Sequence, residues 1–306
     1  MRVVFAGTPA AAVPSLQRLA ASAHEVALVV TRPDAPLGRK RVLTPSPVAH
    51  AAAELGLPVH KTARLDDDAT AAVMATRPDL GVIVAYGGLV REPLLSGPGH
   101  GWVNLHFSLL PRWRGAAPVQ HTIIAGDTVT GAGVFQLTTG LDTGEILGEL
   151  RYDIPPGATA ADVLDALAHR GAYLLENVVT AIGDGTAHPR PQTGDPTSAP
   201  KLTQDDARLR WDESAEQVLA RWRGTTPEPG AYTTIDGARL KVLAAAPADS
   251  DLPLAPGRFG QDGERLLVGT GTEPVVLERV QPAGKPAMAA ADWWRGLRVD
   301  EPVAGS

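Results

Sequence analysis

Residues 80–86 read LGVIVAY and residues 102–107 read WVNLHF. The first is a short unbroken apolar run rich in β-branched residues, the pattern of a strand buried on both faces. The second is also strand-like, but it carries two polar side chains, Asn104 and His106, two positions apart. Working outward, Arg2–Ala6 (RVVFA) and Glu25–Thr31 (EVALVVT) repeat the buried-strand pattern, and Pro58–His60 forms a shorter one. Helical stretches separate them near Val13–Ala21, Pro47–Leu55 and Asp66–Thr76. A long amphipathic helix follows over Ala160–Ile182, with Thr159 placed as its N-cap. Strands alternating with helices specify an α/β fold, a Rossmann-like, mostly parallel sheet with helices on both faces. Sites in such sheets lie at the carboxyl ends of the strands.

The alternation stops at residues 184–200, DGTAHPRPQTGDPTSAP, a composition of extended linker. Beyond it the spacing predicts one helix over Ser214–Arg223. Short strands follow near Ala231–Ile235, Arg239–Leu243, Gly257–Phe259, Arg265–Val268 and Pro274–Val280. Several short strands in about 100 residues point to a small, OB-like C-terminal β-barrel. The organisation expected is an N-terminal domain over 1–186, a linker over 187–205 and a C-terminal domain over 206–306.

The 306 residues fit about two domains, and 44% hydrophobic against 20% charged is an ordinary globular mixture. There is no cysteine, which excludes disulfides, thiolate catalysis and Cys-ligated metal. The longest apolar runs fall short of the roughly 18 residues of a membrane span. The opening MRVVFAGTPA reads as strand and turn, not as a signal peptide, so a cytoplasmic protein is expected. Net charge is −6, with 14 basic against 17 acidic groups in residues 1–188 and 13 against 16 in residues 201–306. A polyanion must therefore be met by a local patch. Arg32, Arg39, Lys40 and Arg41, with Asp34 as the sole acid among them, form the best candidate.

The first strand–helix turn, FAGTPAAAVP, has one glycine where a dinucleotide fingerprint needs three, and no P-loop occurs. NAD and ATP are thus disfavoured. Asn104 and His106 share one strand face at its carboxyl end. An amide beside an imidazole suits a developing oxyanion: two donors, one of which can also move a proton. A core histidine is the plain alternative, but a polar neighbour on the same face argues against it. Asp142, in the glycine-bounded loop TTGLDTG (138–144), supplies a carboxylate that orients and charges His106, unless it merely bonds its own turn. No nucleophile elbow such as G-x-S-x-G accompanies them, which points to direct transfer between two bound substrates.

The runs NLHFSLLPRWRGAAPVQ at 104–120 and LTTGLDTG at 137–144 resemble the formyltransferases that use 10-formyltetrahydrofolate. Asn104, His106 and Asp142 match that family's active-site positions one by one. FAGTP at 5–9, LTPSPV at 43–48, RGAAP at 114–118, and Lys201-Leu202 with Ala207-Arg208 and Trp211 are similar to the branch whose acceptor is initiator methionyl-tRNA. The resemblance implies a folate site along Val84, Ala85, Tyr86 and Gly87 and along Ser108, Leu109, Leu110 and Pro111. It implies tRNA contacts from Arg32, Arg39, Lys40 and Arg41, and from Arg208 and Arg210 of the barrel. No metal is implied, and a monomer is expected. Ala10 and Ala11 depart from the family pattern, which usually has an acidic residue and Phe there. Phe107 stands where many relatives have Gly or Ala. Formyl transfer to a sugar amine, or hydrolysis of the formyl group, would share the same three residues. A folate- or RNA-binding module without activity would be expected to have lost one of them.

Overall fold

A computed structural model describes residues 1–38, 40–299 and 301–305. Its elements are, in chain order, β1 (Arg2–Gly7), α1 (Val13–Ala20), β2 (Glu25–Thr31), β3 (Ala35–Leu37), β4 (Val42–Thr44), α2 (Pro47–Glu54), β5 (Val59–Lys61), α3 (Asp67–Ala75), β6 (Leu80–Val84) and β7 (Trp102–His106). Then come α4 (Pro118–Ile124), β8 (Val129–Gln136), β9 (Ile146–Asp153) and α5 (Ala160–Gly183). The chain divides into two compact units. One comprises Met1–Pro118, Val129–Asp153 and Leu164–Pro200; the other comprises Val119–Thr128, Ile154–Val163 and Lys201–Ser306.

The first unit is built on a seven-stranded sheet in the order β5-β2-β1-β6-β7-β8-β9. The first five strands are parallel, and β8 and β9 add antiparallel at one edge. Those last two carry no element in the sequence reading. Gly131 and Gly133 dilute the apolar pattern of β8, and β9 is an edge strand with charged residues turned outward. The small hairpin β3–β4 is likewise found only in the structure.

One face of the sheet is apolar in its middle and polar at its end. Val4, Ala6, Leu28, Val30, Ile83 and Trp102 pack there against Val73 of α3. Two and four positions beyond Trp102, the same face of β7 presents Asn104 and His106. The apolar contacts hold the strand, and its last residues are left for chemistry. The helices begin where their caps allow. Ser46 accepts from Ala49 N at 3.0 Å before Pro47, and Asp66 accepts from Ala69 N at 3.1 Å. Thr159 and Asp162 exchange side-chain-to-backbone bonds at the start of α5, as the N-cap reading expects.

The second unit carries α6 (Ala215–Gly224), β10 (Tyr232–Ile235), β11 (Ala238–Pro247), β12 (Phe259–Asp262), β13 (Arg265–Val268), β14 (Val275–Pro282), β15 (Met288–Ala289) and α7 (Ala290–Gly296). Its six strands form one antiparallel sheet, β10-β11-β14-β13-β12 with β15 on β14. Register shifts between Val242 and Ala245 bend β11 and curl the sheet into a half-barrel. Trp211, Leu219, Leu240, Leu266 and Val280 form its core, with Trp222, Trp293 and Trp294 packed against them.

Candidate active site

The centre of the site is the carboxyl end of β7. Asn104 lies opposite Phe135 of β8, and His106 lies opposite Gly133. The His106 ring is buried and meets the Phe135 ring edge to face, with centroids 6.3 Å apart and planes at 79°. Asn104 is half-buried, and among the described residues its side-chain amide has no hydrogen-bond partner. A polar amide left unbonded at a strand end is available to a substrate.

Beyond β7 the chain turns back over the imidazole. Ser108 Oγ donates to Arg112 O at 2.7 Å, which ties the turn. Trp113 takes up φ +62°, a costly conformation for a bulky residue, and its carbonyl lies 2.9 Å from His106 Nε2. A carbonyl only accepts, so Nε2 carries the hydrogen and Nδ1 of the neutral ring holds the free lone pair. Nδ1 is 3.9 Å from Asp142 Oδ2. Burial pushes the proton affinity of His106 below the ordinary imidazole value, and the Asp142 charge and the Trp113 carbonyl counter it in part. At rest His106 is therefore neutral, with its basic nitrogen facing a carboxylate.

Asp142 is also buried and sits at φ +51°. Its Oδ2 accepts from Gly115 N at 2.7 Å. Gly115 has φ +129°, and a Cβ there would meet Ala199 O at 2.5 Å, so only glycine lets this N–H reach the carboxylate. Gly144 is required for a similar reason, because a Cβ would fall 1.6 Å from Gln136 O. The Asp142 loop is held from outside by Gln192, whose Nε2 donates to Asp142 O at 2.8 Å and to Gly144 O at 2.9 Å. Trp113, Gly115 and Gln192 escape a reading by pattern. The first acts through its backbone, the second through an N–H, and the third lies in a stretch whose composition says only linker. Gly115 alone had a signal, as the glycine of RGAAP.

The other expected site residues fall in three places. Val84, Ala85, Tyr86 and Gly87 leave β6 beside β7, where Val84 pairs with Leu105, and Ala85 and Gly87 are exposed with positive φ. Ser108, Leu110 and Pro111 are buried and Leu109 half-buried in the turn above His106. Arg32 is not at the tip of the basic loop. Its guanidinium donates to Ala63 O and Gly87 O, each at 2.6 Å, and lies over the Tyr86 ring at 5.5 Å. Lys40 and Arg41 are exposed at the turn of the β3–β4 hairpin, beside exposed Leu37, Val42 and Leu43, and Arg39 lies outside the described residues. Arg208 and Arg210, in the second unit, are exposed on the rim of a cavity of about 540 Å³ shared with Asp205, Trp211 and Asp212. Among the described residues, no group of three His, Asp or Glu side chains is arranged to hold a metal ion.

Residues 1–179 match the family described as formyl transferase, and residues 201–298 match the formyl transferase C-terminal domain. A methionyl-tRNA formyltransferase of Clavibacter sepedonicus is 62% identical over 304 residues, which is 99% of this chain and 100% of that protein. The chain belongs to the methionyl-tRNA formyltransferase family. Among solved structures, the methionyl-tRNA formyltransferase from Clostridium thermocellum superposes with a TM-score of 0.57 at 16% identity, over 82% of this chain and 95% of that one. HypX from Aquifex aeolicus, solved with tetrahydrofolic acid, superposes with a TM-score of 0.63 at 17% identity, over 99% of this chain. The chain spans about half the length of HypX, 50% of it. At these identities the two structures show the fold alone, and the family assignment rests on the close relative.

Proposed function

We propose that this formyltransferase moves the formyl group of 10-formyltetrahydrofolate to the α-amino group of initiator methionyl-tRNA, with Asn104, His106 and Asp142 performing the transfer. The products are N-formylmethionyl-tRNA and tetrahydrofolate. The observation that carries the reading is the pairing of a buried, neutral His106 with Asp142 at 3.9 Å beside the unbonded Asn104 amide. The amine nitrogen attacks the formyl carbon while His106 Nδ1 takes its proton. The imidazolium so formed is stabilised by Asp142, and Asn104 donates to the oxyanion. Collapse breaks the bond from the formyl carbon to N10 of the folate, and the imidazolium returns its proton to that nitrogen.

The folate is proposed to lie along Val84–Gly87, where Ala85 and Gly87 have positive φ, and along Ser108–Pro111, with backbone donors and acceptors meeting a flat, amide-like ring. Lys40 and Arg41, with Arg39, are proposed to meet acceptor-stem phosphates, and Arg208 and Arg210 to add contacts from residues 206–306. We place the transfer chemistry in residues 1–186 and expect a cytoplasmic monomer. Among the described residues no helix is long and apolar enough to cross a membrane. The test is single-turnover formylation of charged initiator tRNA by wild type and by Asn104→Ala and His106→Ala. Each should lose at least about 10²-fold, the typical cost of removing an oxyanion donor for Asn104 and a general base for His106. Near-normal turnover by a folded His106→Ala protein, or equal turnover on a sugar amine, would overturn the reading.

A further inference from the structure

We propose that residues 190–199 form a strap that positions the catalytic groups, with Gln192 as a positioning residue that sets Asp142 against His106. The inference rests on the assignment of His106 and Asp142 to the transfer. Two residues that define the surroundings of His106 are in the left-handed backbone region, Trp113 at φ +62° and Asp142 at φ +51°. Neither is glycine, so each conformation is costly and persists only where its surroundings hold it. The strap holds both.

Gln192 reaches Asp142 with its whole amide. Nε2 donates to Asp142 O and Gly144 O, on either side of Thr143, and Oε1 accepts from Arg114 Nε at 3.2 Å and Nη2 at 2.6 Å. Two carbonyls need donors and a guanidinium needs an acceptor, so this orientation of the amide is the one that satisfies all four. One side chain thereby joins the Asp142 loop to the residue preceding Gly115, whose N–H binds the Asp142 carboxylate. Thr197 reaches Trp113. Its Oγ1 accepts from Trp113 N at 2.8 Å, directly behind the carbonyl that faces His106 Nε2.

Backbone bonds lock the strap at both ends. Arg190 pairs with Ile146 through its N–H and its carbonyl, and Arg114 N donates to Thr197 O. Ala199 N donates to Arg114 O, and Ala199 O accepts from Ala117 N. Linker-like composition therefore covers an ordered third segment of the active-site wall. Asp142 is the charged side chain that acts on His106, and Arg114 on the neighbouring segment is engaged by Gln192.

The experiment compares wild type with Gln192→Met, which keeps the volume and removes all four bonds, and with His106→Ala and Asp142→Asn in parallel. Single-turnover formylation gives the rate of the transfer step, steady-state assays give kcat and KM for both substrates, and NMR follows the His106 imidazole titration. Gln192→Met should lower kcat at least tenfold and leave both KM values within about threefold. The His106 titration should move to lower pH, in the same direction as in Asp142→Asn, because the carboxylate that favours the imidazolium has lost its mooring. Gln192→Glu retains the acceptor for Arg114 and removes the donors, so it should lose kcat as well even if Gln192→Met does not fold. Only kcat is read from that variant, since its added charge would itself raise the titration. A folded variant of either kind with kcat within twofold of wild type would overturn the strap. If His106→Ala and Asp142→Asn retain turnover, the fault lies in the catalytic assignment instead.

Discussion

Replacing Asp142 by Asn removes a charge and almost nothing else. The Asn carbonyl oxygen can still accept the Gly115 N–H that Asp142 Oδ2 takes at 2.7 Å, so the loop keeps its anchor. What is lost is the attraction between the carboxylate and the imidazolium that forms as the amine attacks. The groups are 3.9 Å apart, and both are buried. Two unit charges at about 4 Å interact by roughly 4 kcal/mol at an effective dielectric constant of about 20. If the proton is fully on His106 in the transition state, that is a ceiling of about 10³-fold in rate, at 1.36 kcal/mol per factor of ten. The expected outcome is therefore a fall of about 10²- to 10³-fold in the single-turnover rate, with the melting temperature nearly unchanged. Because the two residues act as one unit, Asp142→Asn combined with His106→Ala should be little worse than the worse single variant. The assay uses excess enzyme, 10-formyltetrahydrofolate and charged initiator tRNA, with the fold checked by circular dichroism. A folded Asp142→Asn protein within tenfold of wild type would refute the charge-pair reasoning.

Arg32→Ala should raise KM for the formyl donor about tenfold by freeing the Gly87 loop, since each charge-assisted bond to a carbonyl is worth roughly 1.5–3 kcal/mol. It should leave the salt dependence of tRNA binding unchanged; a flattened salt slope would instead make Arg32 a phosphate contact. Replacing Arg39, Lys40 and Arg41 together by Ala should weaken tRNA binding and spare folate binding. The dependence of log affinity on log salt should flatten by at most about 2–3 units, and parallel binding lines would show the hairpin to be solvated surface. The buried His106 also links stability to pH. Its folded-state affinity for protons is lowered from the ordinary value of 6.5, so the unfolded chain binds the extra proton, and stability is full above that pH and declines as pH falls through it. Thermal melts in a pH series should show a shallower acid decline in His106→Asn than in wild type; identical slopes would mean that the imidazole is not held neutral.

Much of the sheet was legible because its strands are local signals. RVVFA, EVALVVT, LGVIVAY and WVNLHF each announce a buried strand within a few residues, and the structure places strands at Arg2–Gly7, Glu25–Thr31, Leu80–Val84 and Trp102–His106. The helices between them needed only period and caps. The antiparallel edge was not legible, because the strand over Val129–Gln136 is broken by two glycines and the one over Ile146–Asp153 is half solvated. Its existence depends on the neighbour it pairs with. The site divides the same way. Asn104 and His106 stand out in the sequence because polar residues two apart on a buried strand share a face, and Asp142 because glycines bracket it.

The sequence by itself determined the family, the parallel sheet and the three polar groups, since these follow from side-chain identity at short spacing. Only the tertiary structure decided that Arg32 braces the Gly87 loop, that the Trp113 carbonyl sets the His106 tautomer, and that Gln192 ties residues 142, 144 and 114 together. The physical reason is common to all three. Each contact joins a side chain to a backbone group or a guanidinium dozens of positions away, or depends on a backbone dihedral that no residue type dictates. Hydropathy and spacing record which groups a chain carries, whereas closing distant loops onto one another decides which of those groups meet.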